Sequence, residues 1–297
     1  MKIIIFGGNG FVGSHLVKNL KHEKNKVKIF GNKSYSKKGY NLIYYNKKNF
    51  KKILRKISPD VIIFLSGNSY PNNTLKDETY DFRSNNIVLQ ELLQTLTETN
   101  FKKSFFYTSS IAVYGSVNKK NFVEENHKLN PESYYGLSKL IAEKQIEYFS
   151  NKYNLNSTIL RLSSVYGPGL KRQIVYKIIK ETLTSKSIKF LGNAGDRRQL
   201  LYVKDCARMI IKLIRKKPKG FNLFNLSSGR KIKILDILKI SDKILKKKTK
   251  HKFLNRIKAP LLPALSNKKL LDKIGYIKFT DIKFGIKETI DWLKSRD

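Results

Sequence analysis

The stretch Lys2-Ile3-Ile4-Ile5-Phe6-Gly7-Gly8-Asn9-Gly10-Phe11-Val12-Gly13 constrains this chain most, because it sets a short apolar run directly against a glycine-rich turn. A helical segment over residues 14–20 follows at once. The glycines fall as Gly7-x-x-Gly10-x-x-Gly13, a spacing that permits a tight turn and close backbone approach. The helix amino terminus then offers unpaired amides to a pyrophosphate, so Gly7, Gly10, Phe11, Val12 and Gly13 are expected to hold a dinucleotide.

Further apolar runs over residues 27–30, 61–65, 105–108 and 158–162 alternate with amphipathic segments. That alternation predicts an α/β fold, a doubly wound parallel sheet with helices on both faces, with ligands at the carboxyl ends of its strands. After Gly167-Pro168-Gly169 the pattern is less regular, with helices predicted over 174–183 and 234–245, and this half is expected to build a smaller lobe. The runs 200–203 and 221–226 are expected to return to the first sheet, which makes that C-terminal lobe discontinuous in sequence. The expected division is a dinucleotide-binding domain of residues 1–167 plus 199–226 and a substrate lobe of 168–198 plus 227–297.

A chain of 297 residues with 40% hydrophobic content can bury a large core. Its formal charge of +39 invites a nucleic-acid partner, yet the lysines are spread through almost every segment, so no specific nucleic-acid surface is expected. No apolar run is long enough to span a bilayer and the chain opens on a strand pattern, so the expectation is a cytoplasmic protein without a transmembrane segment. The single Cys206 excludes an intrachain disulfide, and with four scattered histidines no metal site is expected.

Ser133-Tyr134-Tyr135-Gly136-Leu137-Ser138-Lys139 puts a phenol and an ammonium four residues apart at the start of an amphipathic segment, on one helix face. A lysine beside a tyrosine favours the phenolate, which could take a proton from a substrate hydroxyl. Tyr44/Lys48, Tyr148/Lys152 and Tyr176/Lys180 repeat the spacing. Only Tyr135 follows, across a short loop and turn, an apolar run ending in hydroxyls, Phe105-Phe106-Tyr107-Thr108-Ser109-Ser110, which reads as a buried parallel strand that ends at a site.

With the glycine loop, the hydroxyl-ended strand and Tyr135/Lys139 in order, the chain resembles the extended short-chain dehydrogenases, the NAD-dependent sugar epimerase/dehydratase family, over essentially its whole length. Asn85 opens a segment like the family's asparagine helix, and Ser110-Ile111-Ala112-Val113-Tyr114-Gly115 is similar to its catalytic serine segment. The resemblance implies a Rossmann sheet, Tyr135 as general acid/base, Lys139 as its electrostatic partner and ribose ligand, and Ser110 as the hydroxyl that orients the substrate oxygen. It adds Leu65, Ser66, Gly67 and Asn85 to the cofactor contacts. It implies a nucleotide-sugar substrate met by Ser110, Ser164 and the arginines Arg198 and Arg256, and a homodimer formed through the helices at 85–96 and 134–149.

Departures from the family pattern narrow the reaction. A dehydratase of this family carries Asp-Glu directly after the catalytic hydroxyl; here stand Ile111 and Ala112, which cannot protonate a leaving hydroxyl. Redox at a sugar carbon, C4, remains. The end of the second strand reads Gly31-Asn32-Lys33 with no acid, so the cofactor is NADP or NAD, with Asn32 and Lys33 beside the ribose. Ser164 stands where many epimerases have asparagine. Together these lean toward a 4-ketoreductase of a 4-keto-6-deoxy nucleotide sugar, with an NAD-dependent 4-epimerase as the alternative. A non-catalytic dinucleotide sensor is disfavoured because both Tyr135 and Lys139 are present.

Overall fold

In a computed structural model that describes residues 1–31, 42–44, 47–67, 82–117, 122–191, 196–254 and 263–296, the opening apolar run is the centre of the sheet. In chain order the strands are β1 (Lys2–Phe6), β2 (Lys26–Gly31), β3 (Leu42–Tyr44), β4 (Val61–Phe64), β5 (Ser104–Ser110) and β6 (Ser157–Leu162). They continue with β7 (Ser164–Tyr166), β8 (Ser187–Leu191), β9 (Arg197–Tyr202), β10 (Phe221–Leu226), β11 (Lys231–Lys233) and β12 (Lys250–Leu254). Seven of these form one sheet in the order β10-β6-β5-β4-β1-β2-β3, with every pairing parallel.

Parallel strands covered on both faces need continuous apolar runs rather than alternation. Ile3 and Ile5 of β1 join one core with Leu16 and Leu20 of helix α1 (Phe11–His22), while Ile4 and Phe6 join another. That second core takes in Phe50 and Leu54 of α2 (Lys47–Ile57), Leu92 and Leu96 of α3 (Val88–Glu98) and Ile146 of α4 (Tyr134–Tyr153). The remaining helices are α5 (Gln173–Thr184), α6 (Val203–Lys216), α7 (Ile234–Leu245), α8 (Lys268–Ile274) and α9 (Ile282–Lys294). Met209 and Leu213 of α6 pack into the first core, opposite the face that carries α3 and α4. The chain runs outward from β1 through β2 and β3, then returns to the other side of β1 for β4, which opens a crevice at their carboxyl ends.

Two sequence expectations need correction. Helix α1 begins at Phe11 rather than at residue 14, because the Gly10 carbonyl already accepts the Ser14 amide at 2.9 Å and the last glycine lies inside the first turn. Residues 221–226 do return to the large sheet, beside β6, but residues 200–203 do not: β9 lies in a small three-stranded sheet of order β11-β9-β7. A short apolar run does not specify its partner, and β10 already occupies the place beside β6. Among the described residues no helix is long and apolar enough to cross a membrane, and no group of three or more His, Cys, Asp or Glu is placed to hold a metal ion.

Candidate active site

The glycine loop closes on itself and on its neighbours: the Gly7 amide donates to the Phe30 carbonyl of β2 at 2.9 Å and the Gly10 amide to the Gly7 carbonyl at 3.0 Å. A side chain at Gly13 would collide with that Gly7 carbonyl and stand 2.8 Å from the Gly8 α-carbon, so only glycine lets the first turn of α1 sit this close. The first amides of α1, at Phe11, Val12 and Gly13, have no acceptor within the helix and are free to meet phosphate oxygens. Leu65, Ser66 and Gly67 follow β4, and the Leu65–Ser66 backbone packs so closely on Gly7 that a side chain there would stand 2.9 Å from the Ser66 amide nitrogen.

Asn85 lies on a π-turn, Arg83–Ile87, that leads into α3. Its side-chain amide donates to the Ser138 hydroxyl at 3.0 Å, while its Oδ1, fully buried, has no partner among the described residues and faces the α-carbon of Gly67. A buried acceptor without a partner is costly, and a π-turn often marks a functional position. The crevice therefore fits a dinucleotide: phosphate donors on one wall and an unspent acceptor on the other. Asn32 and Lys33 lie outside the described residues.

The start of α4 packs on the turn that follows β5. Ser110 is the last residue of β5, and its hydroxyl accepts from the Ala112 amide at 3.2 Å, capping the turn Ile111–Tyr114. Ser133 caps α4, accepting from the Gly136 amide at 3.1 Å. Gly136 matters because a side chain there would stand 2.6 Å from the Ala112 carbonyl and push the helix start off the turn. Close approach is thus built in between the turn that follows Ser110 and the helix start that carries Tyr135.

Lys139 is 5% exposed and its ammonium donates to the Tyr107 hydroxyl and the Thr108 carbonyl, both at 3.2 Å. Burial pushes the Tyr107 phenol well above its ordinary range, with the Tyr135 phenol and Glu143 adding to the effect, so Tyr107 stays protonated and serves as an anchor for Lys139. The competing pairs are surface features: Lys152 reaches the Tyr148 hydroxyl at 2.8 Å beside a ring that is 53% exposed, and Lys180 hangs 6.0 Å from the Tyr176 ring. The side chains of Tyr44 and Lys48 lie outside the described residues. Cys206 is fully buried and burial pushes its thiol up to about 12, consistent with a core residue rather than a nucleophile.

On the substrate side, β6 leaves the large sheet and re-forms after Ser163 as β7 of the small sheet. Ser164 pairs with Leu200, and Arg198 lies two residues before Leu200, so the two expected substrate contacts share one face of that sheet. Gln199, on the other face, clasps the Leu265 backbone through bonds of 2.8 and 2.9 Å. Arg256 lies outside the described residues.

Three residues near the site carry roles the sequence did not reveal: Tyr107, Glu143 and Arg161. Glu143 extends the spacing Tyr135-x-x-x-Lys139 by one more turn, and an arginine inside the apolar run 158–162 has to be paired. Those two signals could have found the pair.

Glycine loop, orphan asparagine acceptor and a buried lysine anchored on Tyr107 lie around one crevice whose lining fits a dinucleotide. The model of the NAD dependent epimerase/dehydratase family matches residues 3–226, and the chain belongs to that family. It is 28% identical to a UDP-glucuronate 4-epimerase of Thermodesulfobacterium geofontis over 88% of this chain and 81% of that one. It is 30% identical to a dTDP-D-glucose 4,6-dehydratase of Dictyostelium discoideum over 80% of this chain and 61% of the relative. The fold matches the structure of the Thermus thermophilus UDP-glucose 4-epimerase in complex with NAD, with a TM-score of 0.87, 21% identity and full coverage of both chains.

Proposed function

We propose that this protein is an NAD-dependent nucleotide-sugar 4-epimerase. The observation that carries it is the apolar turn after Ser110: Ile111 is 6% exposed within an apolar cluster and Ala112 has no titratable group, so the site holds a proton-transfer pair but no acid pair for expelling water. That argues against the dehydratase chemistry of the Dictyostelium relative. The 4-epimerase relatives weigh for the epimerase over the ketoreductase expected from the sequence, and the NAD complex of the solved neighbour weighs for NAD over NADP.

A bound nicotinamide would supply the hydride acceptor and donor. Tyr135 takes the proton of the C4 hydroxyl as the carbon is oxidised and returns it when the other face is reduced. Ser110 hydrogen-bonds the same oxygen as charge develops on it, and Lys139, held by Tyr107, keeps a positive charge beside the phenol. Arg198 clamps the substrate diphosphate, a role for which a guanidinium has the right fork of donors, with Ser164 beside it and Arg256 as a second cation.

Purified protein is expected to release NAD or NADH on denaturation, and the native protein to interconvert UDP-glucose or UDP-glucuronate with its C4 epimer without added cofactor. An empty protein that consumes NADPH stoichiometrically with a 4-keto sugar nucleotide would overturn the epimerase in favour of the reductase.

The protein is further taken to pair with a second copy through α3 and α4. A groove of about 920 Å³ between them is lined by Gln90, Leu140, Ile141 and Phe149, and Leu137 and Tyr148 on the same helix are 40% and 53% exposed. Apolar side chains this exposed along one helix face suit a symmetric interface. Sedimentation at micromolar concentration is expected to give a dimer; a monomer would remove the interface.

A further inference from the structure

Behind the catalytic wall lies a buried charge pair that the chemistry above does not use. Glu143 and Arg161 are each 3% exposed. Arg161 Nη2 donates to Glu143 Oε2 at 2.7 Å, and its Nε lies 3.0 and 3.2 Å from the two carboxylate oxygens. Desolvating two charges offsets much of their attraction, so a buried pair is weak evidence for stability and asks for another explanation.

The remaining bonds of the pair supply one. The Ser109 hydroxyl donates to Glu143 Oε1 at 2.5 Å. Arg161 Nη1 donates to the Tyr114 hydroxyl at 2.8 Å and to the Glu125 carbonyl at 3.0 Å, and the Tyr114 hydroxyl in turn donates to Asn225 Oδ1 at 2.8 Å. Ser109 and Tyr114 bracket the segment that begins with Ser110. On α4, Tyr135, Lys139 and Glu143 follow one another at single-turn spacing on one face, and the alternate strand residues Tyr107 and Ser109 receive Lys139 and Glu143 respectively. Two rungs therefore tie β5 to α4, one through the catalytic lysine and one through Glu143.

We propose that Glu143, clamped by Arg161, is a positioning residue: it holds the Ser109–Tyr114 segment against the helix face that carries Tyr135, so that the Ser110 hydroxyl is set for the substrate oxygen before binding. The proposal rests on Ser110 and Tyr135 being the reacting groups of the epimerase. Its role is geometric, and a misplacement of about 1 Å in such a group can cost roughly 10²-fold in rate.

The test uses Ser109→Ala, Ser109→Thr and Glu143→Gln in the full chain. Ser109→Ala leaves the ion pair in place and is expected to lower kcat by about tenfold with KM, bound NAD and thermal midpoint close to wild type; Ser109→Thr, which keeps the hydroxyl, is expected to recover most of the rate. Glu143→Gln is expected to lower kcat further. Hydrogen exchange over residues 108–115 is expected to quicken about tenfold in Ser109→Ala while the rest of the chain is unchanged, a readout that needs no substrate. Wild-type protein that turns over no nucleotide sugar would sink the epimerase alone, and exchange would still decide the positioning role. Unchanged kcat and exchange in Ser109→Ala, or a parallel loss of kcat, KM and thermal midpoint, would overturn the proposal.

Discussion

Tyr135→Phe is expected to lower kcat by about 10²- to 10⁴-fold, the range for losing a positioned acid/base, while bound NAD and the fold stay as in the wild type. The substitution deletes one hydroxyl and keeps the ring. The proposed phosphate donors for the cofactor sit at the start of α1, on a different strand-helix unit, so they are untouched. Lys139 also keeps its place, since the Tyr107 hydroxyl and the Thr108 carbonyl hold its ammonium independently of Tyr135. Tyr107 cannot take over as base: burial holds its phenol in the protonated form. Steady-state rates alongside the nucleotide released on denaturation check this, and activity within tenfold of wild type would remove Tyr135 from the chemistry.

Much of this site was legible in the chain because its parts are local. The glycine loop is a strand, a turn and a helix start in the twelve residues from Lys2 to Gly13, and much of its conformation follows from contacts among those same residues, as the Gly13 approach to the Gly7 carbonyl shows. Tyr135 and Lys139 are one helical turn apart, so their shared face follows from spacing alone. What was hidden is long-range. Tyr107 lies 32 residues from the lysine it anchors, and Arg161 lies 18 residues from Glu143. No local pattern tells which buried tyrosine an ammonium will find. The destination of residues 200–203 was hidden for a similar reason: an apolar run specifies burial, and which sheet it joins depends on which edge is still open after β10 has docked.

Arg161→Met is expected to destabilise the protein by about 3–5 kcal/mol, because it strands a carboxylate in a site that is 3% exposed. For a chain of 297 residues that corresponds to a fall in thermal midpoint on the order of 10 °C. Three bonds to Glu143, one to Tyr114 and one to the Glu125 carbonyl vanish together, yet methionine fills much of the same volume, so the loss reports electrostatics more than a cavity. Adding Glu143→Leu removes the stranded charge and is expected to restore most of the midpoint, since paired charges and apolar neighbours of like volume are often equally stable. The rate is expected to stay low in that double variant, because the Ser109 hydroxyl then has no carboxylate to hold it. Thermal midpoints set beside kcat for the single and double variants separate the two contributions. A double variant that recovers both would make the pair a matter of stability alone, whereas one that recovers only the midpoint shows that the fold keeps two charges in its core to hold a strand end in place.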